Sequence, residues 1–277
     1  MIVLIKGAGD LATGVAYRLK KCGFDVIMTD ISEPTTVRRT VAFSQAVYDN
    51  NVEVEGIKAT LVSGIEEGIE VIKQGHIAVI VDEKAEILKE LKPDVVVDAI
   101  IAKKNTGTNI NDGPIVIALG PGFTAGVDCH CVIETKRGHY LGKAIYDGSA
   151  IPNTGVPGDI GGYTNERIIR ATSDGKILPK SKIGDYVEKS DIVAYVNETP
   201  IFAQINGIVR GMLQKDVNVF KGMKSGDIDP RCERNHCFTI SDKARSIGGG
   251  VLEAILYLNQ NIDVNNNLRK SKKGGYI

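Results

Sequence analysis

The residues of this chain that are best suited to chemistry stand near its beginning. Residues Gly7 to Ala12 read Gly-Ala-Gly-Asp-Leu-Ala and fit the pattern G-x-G-x-x-(G/A). In this pattern Gly7 permits a tight turn, Gly9 lets a pyrophosphate approach the backbone, and Ala12 lets the following helix pack closely on the strand. The start of that helix offers free N–H groups and a favourable dipole to phosphates. The run therefore predicts a site for a dinucleotide or another diphosphate.

Two acidic residues bear on this prediction. Asp30 follows Gly9 by about 20 residues, the separation at which a carboxylate meets the 2′-hydroxyl of a dinucleotide ribose. Asp10 lies within the turn, where its charge opposes a bound anion unless it caps the helix with its side chain directed away from the ligand. A unit of the same architecture that holds no dinucleotide is the alternative interpretation.

The elements that would position the turn alternate between strands and helices. Ile2 to Ile5 is an unbroken apolar run, typical of a parallel strand that is buried on both faces. Helical spacing follows from Leu11 to Leu19, and further elements are predicted at residues 26–28, 64–73 (helix), 77–81, 83–91 (helix), 95–97 and 115–119. This alternation predicts an α/β fold with a Rossmann-like, doubly wound and mostly parallel sheet, which forms a nucleotide- or diphosphate-binding domain over residues 1–165.

Three more candidates for cofactor binding follow the ends of predicted strands. Arg39 comes after the second strand, and Lys103 and Asn105 come after a later one. The carboxyl ends of strands in an open α/β sheet face the ligand, so these side chains could bind an anion or a ribose phosphate. Solvated surface residues are the alternative interpretation of both stretches.

Glu134 and His139 are the candidate catalytic residues. They lie on either side of a short turn that follows a predicted strand, and they could meet on one site as acid and base. A plain β-hairpin with solvated charges at its tip is the more common structure for such a stretch. The catalytic interpretation is therefore the less favoured one.

The hydrophobic period changes after residue 165. Residues 174–193 and 206–224 repeat one plan, in which a glycine is followed by a strand, a turn and a second strand. This duplication resembles the barrel-sandwich hybrid of biotinyl and lipoyl carrier domains, and it predicts a small β domain over residues 166–235. The hairpin between the halves, Val196 to Pro200, has no lysine, so we expect no lipoyl or biotinyl attachment.

The role expected of the β domain is therefore packing, dimerisation or covering of the site, and we expect a homo-oligomer. A helix over residues 236–260 is expected to pack on the first domain. A polar, lysine-rich tail over residues 261–277 is expected to follow it.

Composition argues against several classes of function. The 277 residues suffice for two domains, and a formal net charge of zero gives no sign of nucleic acid or a membrane as a partner. No apolar run reaches spanning length and none has the form of a signal peptide, so we expect a cytoplasmic protein. Five cysteines are an odd count, which argues against a secreted disulfide framework. We expect no metal, because Cys129-x-Cys131 and Cys232-x₄-Cys237 match no standard zinc spacing.

Four stretches carry a resemblance to a known family. They begin at Gly7, Glu33, Leu119 and Val132 and read GAGDLATG, EPTTVRRTVAFS, LGPGFTAG and VIETKRGH. Over nearly its full length the chain resembles the YqeB family of selenium-dependent molybdenum hydroxylase maturation proteins. Its first domain also resembles that of XdhC-type accessory proteins, which serve xanthine dehydrogenase maturation. The resemblance implies a cytoplasmic accessory factor whose partners are a molybdenum hydroxylase client or cofactor-assembly proteins, and it implies no catalytic residue.

Three functions remain open from the sequence. In an accessory factor, the glycine turn would hold NAD(P) or the pterin pyrophosphate of a molybdenum cofactor nucleotide, and the β domain would dock the client. In a stand-alone NAD(P)-dependent oxidoreductase, Asp30 would select NAD. A scaffold that binds no small molecule is the third.

Overall fold

The computed structural model describes the backbone of residues 1–273 and the side chains of residues 1–260. Its largest element is a nine-stranded sheet whose central strands are the long apolar runs of the sequence. The strands of this sheet are β1 (Ile2–Lys6), β2 (Asp25–Asp30), β3 (Asn51–Val54), β4 (Ile57–Val62), β5 (Ile77–Val81), β6 (Val95–Asp98), β7 (Ile115–Leu119), β8 (Cys131–Ile133) and β9 (Ala144–Ile145).

The strand order places β1 near the centre of the sheet. The order is β3-β4-β5-β2-β1-β6-β7-β8-β9, and neighbours are parallel except at the two edges, where β3 and β9 pair antiparallel. The chain leaves β1 for β2 on one side and later returns to β6 on the other side. Connections therefore diverge between β1 and β6, and open α/β sheets bind ligands at the carboxyl edge of such a point.

Helices cover both faces of this sheet. They are α1 (Asp10–Lys21), α2 (Ala46–Asp49), α3 (Ile65–Lys73), α4 (Leu88–Leu91) and α5 (Asp242–Lys273), with short 3₁₀ helices at Arg39–Val41, Phe43–Gln45 and Arg234–Cys237. On one face α1 and α5 approach closely at a glycine, since a Cβ on Gly14 would lie 2.6 Å from the Cβ of Ala244. On the other face α3 packs through Val71 and Ile72 against apolar side chains of the sheet.

Several boundaries differ from the sequence predictions. The helix expected over residues 236–260 begins only at Asp242, where α5 starts. The helix expected over residues 83–91 forms only at α4, because Ala85 has a φ of 51°, outside the right-handed helical region. The carboxylate of Asp82 instead accepts the N–H of Ile87 at 2.9 Å and closes a turn before α4. The polar tail expected over residues 261–277 begins within α5, and its side chains lie outside the described residues.

Residues 168–229 form a β unit of two four-stranded sheets. Its strands are β10 (Ile168–Arg170), β11 (Gly175–Pro179), β12 (Tyr186–Val187), β13 (Ile192–Val196), β14 (Thr199–Phe202), β15 (Gly207–Met212), β16 (Asn218–Val219) and β17 (Lys224–Asp229). The orders are β10-β17-β15-β12 and β14-β13-β11-β16. The two repeats exchange strands, because β12 of the first pairs with β15 of the second, and β16 of the second pairs with β11 of the first.

Each unit encloses its own apolar core. The side chains of Val3, Ile5 and Val97 belong to the core of the large sheet, and those of Ile177, Val193 and Val209 to the core of the β unit. The protein is therefore a mixed α/β protein with a large, mostly parallel sheet and additional antiparallel sheets. Within the described part of the chain, no helix combines the length and the apolar character needed to cross a membrane.

Candidate functional site

A crevice opens at the carboxyl edge of the large sheet, where β1 ends and the glycine turn begins. Gly7 has a φ of 92°, and a Cβ there would lie 3.0 Å from the carbonyl oxygen of Ala99, so glycine is required. The crevice has a volume of about 790 Å³. Its walls are residues 6, 7, 9–11, 29–31, 35–36, 82–84, 99–101 and 106–108. These residues follow the ends of β1, β2, β5 and β6, as expected for a site where the connections diverge.

The start of α1 forms one wall of this crevice. Gly9 is the N-cap residue, and its carbonyl oxygen accepts the N–H of Thr13 at 2.8 Å, the first intrahelical bond of α1. The N–H groups of Asp10, Leu11 and Ala12 precede that bond and have no carbonyl partner within the helix. Asp10 and Leu11 line the crevice. The helix dipole and these donors therefore favour an anion at this wall.

Arg38 neutralises the carboxylate of Asp10. Its Nη1 lies 3.0 Å from both carboxylate oxygens, and its Nη2 donates to the carbonyl oxygens of His236 and Thr239 at 2.9 Å each. Arg38 lines a second cavity and does not line the crevice, so the carboxylate is drawn to that side. The carboxylate of Asp10 is thus held by Arg38 and does not cap α1, whose N-cap residue is Gly9 and which has no side-chain cap hydrogen bond.

Asp30 stabilises the turn and also lines the crevice. Its Oδ2 accepts the N–H of Ala8 at 2.8 Å, and its Oδ1 accepts the N–H of Ile31 at 2.8 Å. Burial raises the pKa of Asp30, although both backbone hydrogen bonds oppose the shift. Each oxygen keeps a lone pair beyond these bonds, so the carboxylate can still accept a hydroxyl donor from the crevice.

A buried polar cluster at the back of the crevice was missed by sequence reasoning. Lys6 Nζ donates to Thr108 Oγ1 and to Asp112 Oδ2, both at 2.9 Å, and Thr108 Oγ1 donates to Asp98 Oδ2 at 2.6 Å. Burial raises the pKa of Asp98, despite the hydrogen bond from Thr108 and the charge of Lys6. The sequence contained a sign of this cluster, because Lys6 and Asp98 each follow an apolar run that predicts a strand. In the structure these two residues end neighbouring parallel strands and pair in register.

The other predicted cofactor-binding residues lie in different places. Asn105 shapes the loop beside the crevice, because its Oδ1 accepts the N–H groups of Gly107 and Thr108 at 2.8 Å each. Lys103 is exposed and does not line the crevice. Arg39 also lies outside it and donates from Nε to the carbonyl oxygen of Met212 at 3.1 Å, in a half-buried position that lowers its pKa.

The candidate catalytic pair is not assembled. Glu134 is buried, and its carboxylate accepts the N–H groups of Lys136 at 2.7 Å and Ile151 at 2.8 Å. His139 is exposed and makes an edge contact with the ring of Tyr140, their centroids 4.9 Å apart. Among the hydrogen bonds of the described residues, none joins Glu134 to His139. Glu134 therefore orders the loops after β8, and the two residues share no site.

The cysteines have the environment of core residues or isolated surface residues. Cys129 and Cys131 are buried, and burial raises the pKa of each thiol to about 12. Cys22 and Cys232 are exposed. Within the described residues, no three His, Cys, Asp or Glu side chains come together in a way that could hold a metal ion.

Comparison with known proteins gives one relative of high identity. No protein-family model matches the chain. Over 257 residues it is 52% identical to "Uncharacterized protein YqeB" of Escherichia coli strain K12, in an alignment that covers 93% of this chain and 48% of that protein. The resemblance to YqeB proteins is thereby supported. The chain spans about half the length of this curated relative.

Similarity to solved structures is weak. An aspartoacylase family protein from Mesorhizobium loti aligns with a TM-score of 0.25 and 12% identity, over 82% of this chain and 83% of that chain. The ectoine utilization protein EutE from Ruegeria pomeroyi aligns with a TM-score of 0.22 and 10% identity, over 82% of this chain and 57% of that chain. Scores this low do not indicate a shared fold.

Proposed function

We propose that the crevice binds a nucleotide cofactor through its diphosphate, which lies on the turn from Gly7 to Ala12. The observation that carries this proposal is the start of α1. Free N–H groups and a helix dipole face a crevice of about 790 Å³, and Arg38 removes the charge of Asp10 that would repel a phosphate. The volume suits a small-molecule ligand.

The strand order supports a Rossmann-like interpretation of the large sheet. The strands β5-β2-β1-β6-β7-β8 follow the spatial order 3-2-1-4-5-6 that is typical of dinucleotide-binding sheets, with β4 and β3 added at one edge. The glycine turn then stands directly after the first strand of that order. Both features favour a dinucleotide or a molybdenum cofactor nucleotide, since each carries a diphosphate.

Asp30 favours an unphosphorylated ribose. Its carboxylate lines the crevice after β2, where an acidic side chain accepts a hydrogen bond from a ribose 2′-hydroxyl. A 2′-phosphate would meet its negative charge instead. Among the nicotinamide dinucleotides, we therefore propose that NAD binds more tightly than NADP.

The wider role that we propose is that of a maturation factor for a selenium-dependent molybdenum hydroxylase. This role rests on the resemblance to YqeB proteins and places the protein in the cytoplasm, beside a client enzyme or cofactor-assembly proteins. The position of the candidate acid–base pair argues against the stand-alone oxidoreductase, because neither Glu134 nor His139 lines the crevice that would hold the cofactor.

The β unit then serves as a docking scaffold. The exchange of β12 and β16 between the two repeats supports the barrel-sandwich interpretation. The hairpin that joins β13 to β14 contains Asn197 and Glu198 and no lysine, so it offers no amine for lipoyl or biotinyl attachment. A carrier function is therefore not part of the proposal.

Titration of the purified protein with NAD, NADP and molybdenum cofactor nucleotides tests the proposal. We expect saturable binding of at least one diphosphate nucleotide without turnover. Tight NAD binding with substrate turnover would contradict the accessory role, and the absence of binding to every diphosphate would contradict the proposed site.

A further inference from the structure

A second cavity, here called the basic cavity, lies beside the crevice. It has a volume of about 440 Å³ and shares Asp10 and Leu11 with the crevice. Its other walls come from the segments after β2, β7 and β8, from residues 151–167 between β9 and β10, from the β unit and from the start of α5. It is lined by seven cationic side chains and two carboxylates: Arg38, Lys136, Arg137, Arg167, Arg210, Lys224 and Lys243, with Asp10 and Asp227.

Three of these cations are already paired with carboxylates. Arg38 holds Asp10, as described above. Arg167 Nη1 lies 3.1 Å from Asp227 Oδ2, and both side chains are more than nine-tenths buried. Arg137 makes two hydrogen bonds to Asp242, at 2.5 and 2.9 Å. These pairs engage both carboxylates of the cavity wall, although Asp227 Oδ1 is buried without a hydrogen-bond partner.

Of the remaining cations, Arg210 has only a longer ion pair to a carboxylate that it shares with another arginine. Arg210 Nε is 3.8 Å from Asp229 Oδ2, but Asp229 is already engaged by Arg231 at 2.9 and 2.6 Å, and Arg210 Nε is buried without a hydrogen bond. Among the described residues, no carboxylate oxygen lies within 4 Å of the ammonium groups of Lys136, Lys224 or Lys243. The cavity thus has an excess of positive charge without a protein counterion.

The charges of this cavity influence one another. Lys224 is exposed at the surface, yet partial desolvation by the surrounding walls lowers the pKa of its ammonium group, and the nearby charges of Arg167 and Arg210 lower it further, while Asp227 and Asp10 oppose the shift. Burial also lowers the pKa of Lys243, with a further contribution from Arg137. An anion placed among these groups would relieve both the desolvation and the mutual repulsion.

We propose that the basic cavity binds a phosphorylated small molecule, whose phosphate contacts Arg210, Lys224 and Lys243. A phosphate carries nearly two charges and three acceptor oxygens, which match a guanidinium and two ammonium groups better than a single carboxylate does. This ligand is distinct from the cofactor in the crevice. The shared wall at Asp10 and Leu11 would place the two ligands side by side at the start of α1.

Isothermal titration calorimetry of the full chain with inorganic orthophosphate, which carries the single phosphate of the proposed ligand, tests the proposal at low ionic strength. We expect binding to the wild type, weakened by about tenfold or more in the Lys224→Gln/Lys243→Gln variant. Lys221→Gln is the matched control, because Lys221 is exposed in the same unit and lies outside the cavity. We expect its affinity to equal that of the wild type.

Gly9→Val distinguishes this site from the crevice. We expect this variant to bind orthophosphate as the wild type does, even where it has lost its nucleotide. Loss of orthophosphate binding in Gly9→Val with full binding in the double lysine variant would overturn the proposal, because the anion would then lie on the glycine turn. Absence of orthophosphate binding at millimolar concentration in the wild type would overturn it equally. If Gly9→Val does not fold, the comparison of the double lysine variant with Lys221→Gln decides alone.

Discussion

Arg38 lies with one guanidinium nitrogen 3.0 Å from both carboxylate oxygens of Asp10. Its other terminal nitrogen donates to the carbonyl oxygens of His236 and Thr239, in the segment that leads from the β unit to α5. One side chain therefore joins the first turn of α1 to that segment, and it also removes a negative charge from the glycine turn. Through Arg38, the crevice is therefore connected to the segment that precedes α5.

Replacing Arg38 by glutamine is expected to lower the free energy of unfolding by about 3 kcal/mol, because it leaves the carboxylate of Asp10 and two carbonyl oxygens without their donor. Urea denaturation measures this change. The neighbouring Arg39→Gln is the control, since Arg39 makes one hydrogen bond to a carbonyl oxygen, and we expect a loss of about 1 kcal/mol. Equal effects of the two substitutions would contradict the importance of the Arg38 pair.

The sequence predicted the sheet well and the crevice in part. The unbroken apolar runs at residues 77–81 and 115–119 predict β5 and β7 to the residue, because strands buried on both faces leave no polar position. The glycine turn also lies where the pattern predicts, after β1. In contrast, the helix expected over residues 83–91 fails at Ala85, whose positive φ no periodicity reveals.

The rest of the site depends on contacts between distant residues. The partner of Asp10 lies 28 positions away, and the cations of the basic cavity come from the segments after β2 and β8, from residue 167, from the β unit and from α5. The spacing of residues along the chain does not predict such contacts between distant side chains. Glu134 shows that proximity in sequence can also suggest a site that does not form. A carboxylate near a histidine predicts acid–base chemistry, but in the structure the carboxylate of Glu134 accepts the N–H groups of Lys136 and Ile151.

The pair of Arg137 and Asp242 is expected to make stability depend on acid pH. The hydrogen bonds from Arg137 hold the pKa of Asp242 well below its usual value of 3.8, although burial opposes the shift. The unfolded chain therefore binds the proton more readily, so this contribution is complete above pH 3.8 and is lost as the pH falls through and below that value. Both side chains are well exposed, so we expect Asp242→Asn to cost about 0.5–1 kcal/mol at pH 7.

Denaturation curves from pH 2 to pH 7 measure this dependence, and the loss caused by Asp242→Asn should shrink toward zero at the acid end. Arg137→Gln should have the same effect, and the double variant should cost no more than either single variant. Asp147→Asn is the control, because Asp147 is exposed and has no cationic nitrogen within 4 Å in the described part of the chain. A loss for Asp242→Asn that does not vary with pH would contradict the ion pair.

The thiols are expected to fall into two classes of reactivity. Iodoacetamide at pH 8 should modify Cys22 and Cys232, which are exposed, and should leave Cys129 and Cys131 intact in the folded protein. The reason is that burial excludes the reagent and raises the pKa of both inner thiols to about 12, so almost no thiolate is present. Mass spectrometry of the modified peptides measures the result, with urea-unfolded protein as the control. Modification of Cys129 or Cys131 at the rate of Cys22 would contradict the buried environment.

The comparison of Gly9→Val with Gly64→Val in nucleotide binding tests the proposed function most directly. Both glycines are N-cap residues in extended conformation, of α1 and α3 respectively. A Cβ on Gly9 would lie 3.2 Å from Thr36 Oγ1 and would stand where the pyrophosphate approaches, whereas a Cβ on Gly64 would meet open space. Calorimetric titration with NAD, NADP and molybdenum cofactor nucleotides should therefore give binding to the wild type and to Gly64→Val, and at least a tenfold loss (about 1.4 kcal/mol) in Gly9→Val. Unchanged affinity in Gly9→Val would contradict the account, because the diphosphate would then not lie on the glycine turn.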